Sequence, residues 1–162
     1  MRRRPASADG PLPMAKRRAP RLALVVQYAM SEHTLPRRAT LRRWATAALE
    51  DDLAVTLRFV GAAEGRALNR RFRGRDAATN VLAFVYDAFE GGDIVLCAPV
   101  IRREAREQKK AFDVHCAHLV VHGMLHLQGY DHPGGAEAKR MEARETAILA
   151  GLGIDDPYRP RP

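Results

Sequence analysis

Residues 118–132 read HLVVHGMLHLQGYDH, and the fold hangs on how this stretch is read. His122 and His126 are four apart. On a helix that spacing puts both imidazoles on one face, one turn apart, as two ligands of one metal ion need. Gly129 follows His126 by three and can end the helix in a left-handed turn. The chain can then reverse and bring His132 back to the same point. Three neutral imidazoles with a fourth position open make a catalytic metal arrangement. Zinc suits three nitrogen donors best, with nickel and manganese as further candidates. One histidine on an apolar helix is usually a packing residue, whereas three with a glycine between the second and third point to a metal.

Working outward, the metal helix should span roughly 113–128. Before it, a helix is predicted over 99–111, and after it one over 136–150 that stops at Gly151 and Gly153. Upstream, residues 22–28 form a short apolar run that reads as a buried strand. Thr40 is an N-cap candidate for a helix with Leu41, Trp44, Ala45, Ala48 and Leu49 on one face. Leu53, Val55, Leu57 and Phe59 alternate with more polar neighbours, a strand period. A short helix over 62–72 and strands over 81–86 and 93–97 follow, the last two joined by a Gly91-Gly92 turn. Strands come first and helices later, so the class is α+β, not a regular βαβ winding.

The chain has 162 residues, within the range of one domain. Its 46% hydrophobic and 28% charged composition is globular and excludes a wholly disordered chain. No apolar run reaches the ~18 residues of a membrane span, and no secretory signal opens the chain. Cys97 and Cys116 read as free thiols of a cytoplasmic protein. The net charge of +8 invites a nucleic-acid reading. Six of those units, however, sit in residues 1–21, where Pro5, Pro11, Pro13 and Pro20 forbid a stable helix. That segment is expected to be a disordered basic tail, or a start misassigned upstream of Met14, with the domain running over 22–162.

The local arrangement of charge says more than the total. Arg66, Arg70, Arg71, Arg73 and Arg75 fall within ten residues without an acid. Guanidinium forks suit phosphate oxygens and keep their charge. Arg66 and Arg70 share a helix face, with Arg73 one turn beyond. Arg66, Arg70 and Arg71 are candidate substrate contacts, the alternative being a solvated helix face. His118, one turn before His122, is a candidate substrate or ligand-supporting residue, and His115 a weaker one. Asp131 could orient a ligand imidazole. Aromatic residues are only 6%, and Trp44 lies on an apolar face, so recognition of a nucleic acid should rest on backbone and shape.

The histidine spacing equals that of metzincin proteases, H-E-x-x-H-x-x-G-x-x-H, but Gly123 stands where those enzymes carry their general-base glutamate. That argues against peptide hydrolysis. HGMLHLQGYDH, residues 122–132, instead resembles the metal motif of the YbeY family of rRNA maturation endoribonucleases. Further pieces occur in order: Leu68-Asn69, Phe72-Arg73-Gly74 and Asp76, then Thr79-Asn80-Val81-Leu82 and Phe84, Gly92-Asp93-Ile94, the helix with Met141, Glu145 and Leu149, and Asp156-Pro157-Tyr158. The chain departs from the pattern at Ala77-Ala78 and Ala83, none of them an ionisable residue. The resemblance implies a zincin-like fold, a small mixed sheet packed with helices with the metal helix across it. It implies a metal-dependent, single-strand-specific endoribonuclease acting on rRNA of the ribosomal small subunit, including the 16S 3′ end, and in ribosome quality control. On the family's pattern His122, His126 and His132 hold the metal, and Arg73 meets the scissile phosphate, where it would offset charge in the transition state. Rival readings are a metallohydrolase of another substrate class and a non-catalytic, metal-bound ribosome assembly factor.

Overall fold

The structure is a computed structural model, and it describes residues 18–86, 90–131 and 134–159. Strand β1 (Leu22–Tyr28) leads through a short 3-10 turn (Glu32–Thr34) to helix α1 (Arg38–Ala47). Then come β2 (Leu53–Val60), α2 (Ala62–Arg73), β3 (Val81–Val85), β4 (Gly91–Cys97), α3 (Ala98–Glu107), α4 (Phe112–Leu127) and α5 (Gly135–Gly151). The four strands form one sheet in the order β1-β2-β4-β3. β1 and β4 both run parallel to β2, and β3 runs antiparallel to β4. The architecture is the mixed-sheet α+β class anticipated from sequence. The parallel pairs follow from α1 and α2, which lie between strands and carry the chain back across the sheet.

Alternation along β2 sends Leu53, Val55, Leu57 and Phe59 into the larger core with Leu41, Trp44, Ile94, Met124 and Leu149. Trp44 is therefore core and not an exposed platform. On the opposite face Val60, Leu82, Val95, Cys97 and Val100 make a smaller core, with Leu68 of α2 packed against it.

Helix α4 is the centre of the molecule. It packs on α1, α3, α5, β3 and β4. From His115 to Leu127 every residue is buried except His118, His122 and His126. A helix apolar nearly all round must be wrapped on all sides. Here one narrow stripe at four-residue spacing is left open, and it consists of histidines.

Several expected boundaries move, each for a local reason. Helix α1 begins two residues before Thr40. Pro36 ends the preceding segment and extended Arg37 takes the N-cap position, with no side-chain cap. Helix α3 stops at Glu107, short of 111, because Lys109 adopts φ 54° and the Lys110 N–H closes on the Ala105 carbonyl at 2.8 Å. Gly91 and Gly92 are not the turn but the first two residues of β4. A Cβ at Gly91 would lie 1.7 Å from the Ala54 carbonyl oxygen, and one at Gly92 2.1 Å from that of Phe84. These glycines let two neighbouring strands approach from either side. Of the tail expected over 1–21, residues 1–17 lie outside the described residues; in the remainder the Arg18 guanidinium pairs with Asp52 at 2.6 Å and the Arg21 N–H donates to it at 2.8 Å.

Candidate metal and phosphate site

Two residues of the open stripe, His122 and His126, line a cleft of about 430 Å³ together with Arg73, Ala83 and Asp131 among others. The Nε2 atoms of His122 and His126 stand 3.1 Å apart. Two nitrogens on one tetrahedral zinc ion, each at about 2.0–2.1 Å, would be about 3.3 Å apart. The donor pair therefore fits a metal with little adjustment. His132, the expected third donor, lies outside the described residues. Among the described residues no three His, Cys, Asp or Glu converge on one point.

The turn that leads towards His132 is well anchored. Gly129 has φ 94°, and the Tyr130 N–H returns to the Leu125 carbonyl at 3.0 Å, which ends α4. Gln128 donates to the Ala48 carbonyl at 2.7 Å and accepts the Glu50 N–H at 2.7 Å. Asp131 follows directly and sits on the cleft wall.

Behind the stripe is a group that the sequence reading passed over as a family match only. Glu145 of α5 is fully buried. Its Oε1 accepts from His122 Nδ1 at 2.5 Å, and its Oε2 from His118 Nε2 at 2.9 Å and from the Tyr158 hydroxyl. Burial pushes this carboxyl up, but the three donors outweigh it and hold the group at about 2. Burial and the same carboxylate push the Tyr158 hydroxyl up. A signal for Glu145 was present. It falls in the buried stripe Met141, Glu145, Ile148, Leu149 of α5, where an acid survives only if it is fully hydrogen-bonded. His118, expected as a substrate contact or a ligand-supporting residue, donates to Glu145, and it lines a separate hollow with Lys110 and Pro157. His115 pairs with Glu104 of α3 at 3.1 Å, where burial lowers its pKa.

Arg73 ends α2 beside the edge strand, and its guanidinium donates to the Ala83 carbonyl at 3.2 Å. The loop that leaves α2 is pinned by buried Asn69, whose amide donates to the Ala77 carbonyl at 2.6 Å. Arg66 already has a partner: Asp76, one residue past the arginine run, takes its fork through two bonds of 2.7 Å. Arg71 lies over the Phe72 ring at 5.1 Å. Among the described residues no carboxylate forms an ion pair with Arg70, Arg71 or Arg73. Burial keeps the Cys116 thiol protonated, and both cysteines are free.

The place of the missing protease glutamate has a steric explanation. A Cβ at Gly123 would meet the Ile94 side chain at 3.0 Å. Gly123→Glu, which restores the protease-like sequence, is expected to destabilise the fold by about 3 kcal/mol or more and to create no peptidase. The denaturation midpoint checks this, and an unchanged midpoint would show that Ile94 yields.

Residues 28–153 match the family described as Endoribonuclease YbeY. A protein of that name from Aromatoleum aromaticum is 57% identical over 143 residues, which cover 85% of this chain and 93% of the relative. One from Thiobacillus denitrificans is 54% identical over 144 residues, covering 86% and 98%. The solution structure of TM1509 from Thermotoga maritima is similar in fold, with a TM-score of 0.54 at 23% identity, covering 86% of this chain and all of that one. Among the described residues no helix is long and apolar enough to cross a membrane.

Proposed function

The chain belongs to the YbeY family of endoribonucleases, and from that premise we propose that it cuts single-stranded RNA with a metal ion on His122, His126 and His132 and with Arg73 on the phosphate. One observation carries the reading: His122 and His126 of the open stripe line the same cleft as Arg73. Three imidazoles favour zinc. When bound, such an ion polarises a phosphoryl oxygen and makes phosphorus more electrophilic. The rest falls to the chain's own groups. Arg73 offers a planar pair of donors to the phosphate and offsets charge that grows there. Arg70 and Arg71, one turn back, would follow the neighbouring phosphates. Asp131 would orient an adjacent imidazole or accept a proton at the cleft wall. Gly123 puts no carboxylate at the chain position where proteases of this spacing carry their base, and Glu145 is already engaged behind His122, so the proton acceptor differs from theirs.

The substrate we assign is rRNA of the small ribosomal subunit in the cytoplasm, cut during maturation of the 16S 3′ end and in ribosome quality control. The test is cleavage of a single-stranded oligoribonucleotide drawn from that 3′ end, with a duplex control. Chelator-treated protein should lose cleavage and regain it with added zinc. A 2′,3′-cyclic phosphate on the product would identify the ribose hydroxyl as the attacking group. Zinc-loaded protein that binds the RNA without cutting it would replace this reading with that of an assembly factor.

A further inference from the structure

We propose that Glu145, braced by His118 and Tyr158, is the positioning residue that decides which nitrogen of His122 faces the cleft. The inference rests on the metal reading above. A neutral imidazole carries one N–H, and a carboxylate only accepts. The 2.5 Å contact between His122 Nδ1 and Glu145 Oε1 therefore places the proton on Nδ1. The lone pair is left on Nε2, the atom that faces Nε2 of His126. Without the carboxylate both tautomers would be populated, and one of the three ligands would present an N–H in place of a lone pair for part of the time.

The brace is built from three parts of the chain. Glu145 comes from α5, the two histidines from α4, and Tyr158 from the segment after α5, beyond the residues 28–153 that match the family. His118 donates from Nε2, which leaves its Nδ1 bare, and that atom is buried with no hydrogen-bond partner among the described residues. Its ring meets Tyr158 edge-on at 5.4 Å. The Tyr158 segment is itself held. The Ile154 N–H returns to the Leu149 carbonyl at 2.9 Å, and Asp156 accepts the Tyr158 N–H at 2.8 Å and the Thr146 hydroxyl at 3.3 Å. A carboxylate with no access to water and three donors has no freedom to swing, so its direction is passed on to the His122 ring.

Two measurements test this. Nitrogen-resolved NMR of the metal-free full-length protein should find His122 protonated at Nδ1. Competition against a chromophoric chelator should show zinc affinity lower by about 10- to 100-fold in Glu145→Gln, with a smaller loss in Tyr158→Phe, and the visible spectrum of the cobalt(II)-loaded protein should shift in both. A purely structural Glu145 would lower the melting temperature without moving the cobalt spectrum of the folded fraction. If Glu145→Gln fails to fold, Tyr158→Phe carries the test, since it removes one oxygen from a partly exposed ring. The inference is overturned if wild-type His122 carries its proton on Nε2, or if folded Glu145→Gln binds zinc as tightly as wild type. A wild type protonated at Nδ1 that takes up no zinc would uphold the tautomer assignment and overturn the metal reading instead.

Discussion

His126→Ala should lose RNA cleavage by a factor on the order of 10³ or more, together with its metal. A Lewis acid contributes several kcal/mol to the transition state, and about 1.4 kcal/mol is tenfold in rate. His126 is the better probe of the two described candidate ligands. It sits in the open stripe of α4, and alanine suits a helix interior, so metal-free stability should change by less than about 1 kcal/mol. His122→Ala would mix two effects, because it also takes a donor from buried Glu145 and leaves a buried charge short of a partner. Metal analysis and single-turnover cleavage, measured side by side, check the prediction. Equal cleavage by wild type and His126→Ala would end the catalytic-metal reading.

Arg73→Ala should keep its metal and lose about 10²- to 10³-fold in cleavage, the usual cost of removing one donor aimed at developing charge. Arg73→Lys should recover only part, since an ammonium lacks the planar fork. The side chain is exposed and among the described residues makes one hydrogen bond, to Ala83, so stability should be nearly unchanged. Arg66→Ala is the control: its fork is already occupied by Asp76, and its loss should cost little cleavage. If Arg73→Ala loses zinc, the guanidinium holds the metal site and not the phosphate.

The contrast between Arg66 and Arg73 shows where sequence reasoning reaches its limit. Helix spacing put several arginines near one another, but spacing does not say which of them already has a partner. The acid that occupies Arg66 lies just beyond the run and reaches it only when the loop after α2 folds back over Asn69. The strands and helices were legible because their apolar periods are strong, and α4 with its histidine stripe most of all. Boundaries moved where a single residue's backbone decided them, as at Lys109 and Gly91. Glu145 was legible only as a matched letter. Its role needs α5 to be laid against α4, a tertiary fact that periodicity does not contain. Residues 1–21 carry most of the net charge, yet the groups that line the cleft come from α2, β3, α4 and the turn after it.

The central position of α4 also has a consequence on the time axis. Wrapped by four other elements besides β3, its amide hydrogens can meet solvent only when the whole domain opens. Hydrogen exchange along 115–127 should therefore report the global unfolding free energy, while the edge strand and the loop after α2 exchange through cheaper local openings. The spacing of the histidine pair is then as durable as the fold itself, and any adjustment to a passing RNA strand is left to the arginine side of the cleft.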